Sequence, residues 1–167
     1  MAHPSLGLPP HDVAAGHPAA ATRLRTNRTR LARVALENAV RLRPGLQERH
    51  NELRLRQLLR DYERHIEQLA RALETGDEQF VVGYAEWLVP IYRRRRVPMK
   101  DVMALVDGLR HAAATVLTPT ENDVAATLFE RWTERLRHHG RLAGDHRGNS
   151  VVRFFWKGAG MFDDEVV

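Results

Sequence analysis

Residues 79–117, QFVVGYAEWLVPIYRRRRVPMKDVMALVDGLRHAAATVL, constrain this chain more than any other stretch. An aromatic-rich apolar run is followed by four arginines, Val-Pro and a second apolar run. Phe80, Tyr84, Trp87, Leu88 and Ile91 fall at helical spacing, and Val81, Ala85 and Tyr92 widen that face, so the spacing predicts a mostly buried helix. Pro90 has no N–H and clashes with the carbonyl four residues back, which predicts a kink near Glu86 or an end around Pro90, with the helix resuming weakly through the arginines. Val97-Pro98 forces extended geometry on Val97 and lets Pro98 open the next helix. There Val102, Leu105, Val106, Leu109, Ala113 and Val116 make a core stripe, while Ala104, Gly108 and Ala112 leave a smooth strip where another backbone could approach. The apolar run before the arginines is interrupted by Glu86 and Pro90 and falls well short of the roughly 20 residues a membrane span requires, so no transmembrane segment is expected.

The same period organises the rest of the chain. Leu24, Leu31, Ala35, Ala39 and Leu42 keep a helical spacing up to Pro44-Gly45. Leu55, Leu59, Tyr62, Ile66, Leu69 and Leu73 then alternate steps of four and three, with Gly76 as a stop and Asp77 as the next cap. Thr118-Pro119-Thr120-Glu121 is a capping box with proline at the first helical position, and Ala125, Leu128, Phe129, Trp132 and Leu136 follow as a stripe ending near Gly140. His138 and His139 suit the negative end of that helix's dipole. The expected fold is all-α, an antiparallel bundle of four to five helices at about 22–43, 46–75, 78–95, 98–117 and 119–139. Residues 1–21 read as a flexible arm, 22–143 as the bundle and 144–167 as a docking segment or linker. In that last segment Val151, Val152, Phe154, Phe155, Trp156, Met161 and Phe162 are too apolar for a free tail and are expected to bind a partner or another subunit.

Of the 26 basic residues all but two are arginine, and the net charge is +5. Residues 22–60 carry eleven Arg against Glu37, Glu48 and Glu52, whereas residues 61–86 carry seven acids against Arg64 and Arg71, so a basic end and an adjoining acidic part are expected. Arg93, Arg94, Arg95 and Arg96, with Lys100 nearby, form the most concentrated positive charge and could contact nucleic-acid phosphates, an anionic surface or an acidic protein. A solvated corner paired with Asp61, Glu63 or Glu67 is the bland alternative. There is no cysteine, which removes disulfides and thiolate chemistry, and the first residues show neither a basic n-region nor an apolar h-region, so a cytoplasmic protein is expected. His3, His11 and His17 fit no metal-ligand spacing. Gly158-Ala159-Gly160 lacks the context of a phosphate loop, and Gly-x-Ser-x-Gly, His-Glu-x-x-His and Glu-x-x-His are all missing, so no enzymatic activity is expected. His65, at the edge of the long helix's apolar face beside Leu58, Tyr62 and Leu69, could ligate a cofactor between helices or serve as a hydrogen-bonded core-edge histidine.

From His65 to about Leu136 the chain runs as a helix, an acidic Gly-Asp turn, an aromatic helix and a Val-Pro helix start. This layout resembles the small helical modules that precede cobalamin-binding domains in bacterial regulators, and the helical sensor modules of RsbR-type stress regulators. The chain has no Asp-x-His-x-x-Gly motif, and neither Trp87 nor Trp132 is followed by a Glu-His pair, so no cofactor is expected. The resemblance and the missing catalytic sets together lead to a non-catalytic regulatory or sensor module acting through contacts with a partner protein or a like subunit. Binding of nucleic acid or an anionic surface by the arginines is the first alternative, and a cofactor bundle built on His65 the second.

Overall fold

The computed structural model describes the backbone of residues 16–142 and the side chains of residues 16–139. Among the described residues there is no strand, and seven helices pack around one apolar core: α1 (Pro18–Thr26), α2 (Arg28–Leu42), α3 (Gly45–Arg49), α4 (Glu52–Thr75), α5 (Gln79–Arg94), α6 (Met99–Ala113) and α7 (Pro119–Leu142). The all-α expectation holds, and the differences lie in where helices break and which faces turn inward. None of the helices is long and apolar enough to cross a membrane.

Two helices read as continuous are each divided. The first breaks at Asn27, whose side-chain amide donates to the Arg23 carbonyl at 2.8 Å, while its own carbonyl accepts from Leu31 N–H. Asparagine's competition with the backbone thus separates α1 from α2. α1 also starts at Pro18, inside the segment read as a flexible arm, and the chain just before it is held by a His17 N–H bond to the Leu73 carbonyl. The second break falls at His50-Asn51, where Asn51 caps α4 by accepting from Arg54 N–H at 2.9 Å.

α4 ends as its sequence predicts, with Gly76 left-handed at φ 71° and donating to the Ala72 carbonyl. α5 passes through Pro90 and runs to Arg94, close to the expected 78–95. Its inward face is Val81, Tyr84, Ala85, Leu88, Val89 and Tyr92, all but Val89 on the face expected. Trp87, expected in the core, is 47% exposed. It stacks on Tyr84 with the Arg64 guanidinium above its ring. α6 and α7 bury nearly all the residues their stripes predict, and the capping box closes with Thr118 N–H donating to Glu121 at 2.9 Å and Glu121 N–H to Thr118 Oγ1 at 3.4 Å. α7 runs past Gly140 to Leu142.

The most extensive contact is between α2 and α6. The smooth strip of α6 faces α2: a Cβ added at Gly108 would stand 2.9 Å from the Ala39 nitrogen and closer still to the Ala35 carbonyl oxygen. Tyr62 of α4 braces the same crossing, donating to the Leu105 carbonyl at 2.8 Å. Glycine's helix cost of about 1 kcal/mol is therefore offset by backbone approach. Gly108→Ala is expected to lose about 1–3 kcal/mol of stability in equilibrium denaturation, despite alanine's better helix propensity. An unchanged or higher midpoint would show that the crossing yields at little cost.

Charge is less segregated than the sequence implies. α1 runs antiparallel to the second half of α4, so Arg25 meets both Glu67 and Glu74, and Arg23 pairs with Glu121 at the start of α7. Arg23 and Arg25 of α1 are thus matched with acids, whereas Arg54, Arg94 and Arg96 at the opposite end form no ion pair among the described residues.

Candidate functional site

That end is built from two chain reversals. One is the α3–α4 corner, carrying Arg49, His50, Asn51, Leu53, Arg54 and Gln57. The other is the α5–α6 corner, carrying Arg94, Arg95, Arg96 and Pro98. Together they line an open cleft of about 540 Å³.

α5 leaves its helix through a Schellman ending: Val97 N–H donates to the Tyr92 carbonyl and Arg96 N–H to the Arg93 carbonyl, each at 2.9 Å. Val97 is buried beside the helix end, and Pro98 prevents α5 from continuing. The position this motif reserves for a left-handed residue, usually glycine, is occupied by Arg96 at φ 55°. A side chain there costs roughly 1–2 kcal/mol, and Arg96 is the only non-glycine residue with positive φ among the described residues.

The arginines of the cleft differ in how they are held. Arg95 donates to Asp61 at 2.6 Å. Arg49 donates to Asp101 at 2.6 and 3.1 Å, and Asp101 also accepts from Arg43 at 2.7 Å and lies 2.9 Å from His50 Nε2. Asp101 sits in the first turn of α6 and is fully buried. Burial alone would raise its pKa, but the bonds from Arg49, His50 and Arg43 more than offset this and hold it below the usual carboxylate range. This carboxylate fastens the α2–α3–α4 connection to the start of α6 and holds the Arg49 guanidinium through Nε and Nη2. Arg54 bonds Gln57, and neither it nor Arg94 nor Arg96 forms an ion pair among the described residues.

Of the arginine run, the structure brings Arg94, Arg95 and Arg96 into the cleft and sends Arg93 elsewhere, to the carbonyl of His139 at 2.9 Å. Lys100 is exposed and does not line the cleft. The pairing of Arg95 with Asp61 matches the bland alternative, whereas Arg94 and Arg96 do not follow it. Arg49, His50 and Arg54 are the residues sequence reasoning missed. The signal was Asn51, a helix cap in the middle of what reads as one helix, which places Arg49 and His50 at a corner.

His65 lies in the core at 2% exposure. Its Nδ1 is 2.8 Å from the Tyr84 hydroxyl and its Nε2 2.9 Å from the Tyr92 hydroxyl, and the Trp132 ring meets it edge-on. Burial, with a smaller effect from Arg64, lowers its pKa to about 3, so the ring is neutral, one nitrogen donating and the other accepting. Both nitrogens are thereby engaged by tyrosines, the hydrogen-bonded core reading of this residue. Phe154, Phe155, Trp156, Met161 and Phe162 lie outside the described residues.

Comparison with protein-family models and with curated protein sequences finds no match. The site is therefore read from its own chemistry.

Proposed function

We propose that this chain is a non-catalytic helical regulatory module whose recognition element is the arginine cleft, which binds an oxyanion carried by its ligand or partner. One observation carries the reading: Arg94 and Arg96, which have no acidic partner among the described residues, face the cleft beside Arg54, and Arg96 occupies a left-handed position where glycine costs nothing. Backbone strain kept at a cleft residue supports a role for that side chain. Guanidinium groups also offer the forked donors that phosphate and sulfate accept in pairs.

The test separates stability from binding at one residue. Arg96→Gly is expected to stabilise the fold by about 0.5–1 kcal/mol in equilibrium denaturation, because the strain is relieved at the cost of some unfolded-state entropy. The same variant is expected to weaken sulfate binding at low ionic strength by about fivefold or more, followed by amide chemical shifts. Wild-type protein that does not bind sulfate at low salt would end the reading. So would a glycine variant that binds equally well.

A second reading, contact with a partner protein through apolar surface, is supported by a different place. Leu36 and Val40 of α2 and Leu55 and Leu59 of α4 line a groove of about 450 Å³. Light scattering across a concentration series distinguishes self-association through this groove from a monomer.

A further inference from the structure

Arg95 belongs to two sites at once. Its side chain lines the cleft beside Arg94 and Arg96, yet its Nη1 donates to Asp61 Oδ2 at 2.6 Å. The Asp61 side chain is 16% exposed and therefore depends on its neighbours for compensation. Those neighbours are Arg95 and the Tyr92 hydroxyl from α5, with Arg64 at longer range on its own helix. Tyr92 is also the partner of His65 Nε2, so its hydroxyl is shared as well. An oxyanion seated against Arg94 and Arg96 would find Arg95 as the third guanidinium at hand, already committed to a carboxylate.

Resting on the cleft as an oxyanion site, we propose that the bound anion takes Arg95 from Asp61 and that Asp61 takes up a proton in exchange. The balance is simple: an Arg95–carboxylate pair becomes an Arg95–oxyanion pair, and the carboxylate left in a poorly solvated place gains one proton from solvent. The tendency is present before binding, since burial raises the pKa of Asp61 even against the attraction of Arg95. Removing that cation raises it further. Binding is then coupled to proton uptake, and affinity rises as pH falls. The cleft would read acidity and anion concentration together, as a regulatory module can use.

Sulfate is a suitable probe because it remains a dianion throughout the useful range. Its dissociation constant is measured from amide chemical shifts between about pH 5 and about pH 8 at constant low ionic strength. Wild-type protein is expected to bind about tenfold more tightly at the acid end. Asp61→Asn cannot take up the proton and leaves Arg95 more available. Its affinity is expected to be about threefold higher than wild type at the alkaline end and to change by about twofold or less across the range. Arg95→Gln is a second variant for the case in which Asp61→Asn unfolds: Asp61 is unpaired before binding, and the pH dependence is likewise expected to flatten.

The outcomes are distinguishable. Absence of sulfate binding by wild-type protein defeats the cleft reading itself. Sulfate binding with no pH dependence, or with a dependence that persists undiminished in whichever of the two variants folds, overturns the proton exchange and leaves the cleft as a plain anion site.

Discussion

Trp132→Ala is expected to lower the unfolding free energy by about 3–5 kcal/mol, with a fall in melting temperature of roughly 10 °C. The indole is fully buried where α4, α5 and α7 meet, stacked on Phe129 and in edge contact with His65 and Tyr84. Its removal opens a cavity that helices anchored elsewhere cannot collapse to fill. Trp132→Phe should cost about half as much or less, for a reason beyond size. The indole N–H finds no acceptor among the described residues, and burying such a donor costs about 1–3 kcal/mol, which phenylalanine avoids. Chemical denaturation of both variants checks this. An alanine variant within about 1 kcal/mol of wild type would mean the ring sits loosely.

The second large effect is a loss of stability in acid centred on His65. In the unfolded chain this histidine binds a proton near its ordinary pKa of about 6.5, but the folded protein accepts it only near about 3. The sign follows from linkage. The folded value is depressed, so the contribution is fully present above the unfolded pKa and is lost as pH falls toward the folded one. Between about pH 6 and about pH 4 the unfolded state binds up to one more proton, and stability should fall by about 1.4 kcal/mol per pH unit. His65→Gln, which retains a donor and an acceptor for the two tyrosines, should be less stable at neutral pH and flatter across this interval. Denaturation at several pH values measures the difference. Parallel curves for variant and wild type would show that His65 does not control acid unfolding. Glu67, Glu74, Glu86 and Asp101, whose pKa values are lowered by arginine partners, act below about pH 4.5 and so add to the loss only at its acid end. Because His65 and Trp132 touch, their substitutions should not be additive.

What was legible in the sequence followed how local the cause was. The stripes of α6 and α7, the Thr118 capping box and the Gly76 stop depend on residues within a few positions of one another, and all appear as read. The close approach at Gly108 was legible as a strip of small residues, and the structure supplies its partner, α2. Trp87 was misplaced because helical spacing set it at the margin of the expected face, where α5 turns Val89 inward and leaves the indole outside. Asn27 and Asn51 broke two helices without interrupting the apolar period, so periodicity could not reveal them. The arginine run marked one wall of the cleft. Arg49 and Arg54, about forty positions earlier in the chain, needed the tertiary fold to meet it. Asp101 carried no signal in the sequence, and the fold makes it the buried junction of Arg43, Arg49 and His50.

The break at Asn27 also divides labour in time. α2 is tied to the centre of the molecule through α6, but α1 is nine residues long and lies chiefly along α4, buried through Ala20, Ala21 and Leu24 and clamped by partly exposed arginine–glutamate pairs. Exposed pairs contribute little and weaken with salt, and three small-to-medium apolar side chains bury modest area. An unbroken helix would transmit any loosening of its first turns into the α2–α6 crossing. With a joint at Asn27, the first segment can detach and reclose as a subglobal opening while the remaining helices stay assembled. Amide protection should therefore step sharply at residue 27 rather than grade along a single rod, and raised ionic strength should lower the earlier side of that step first.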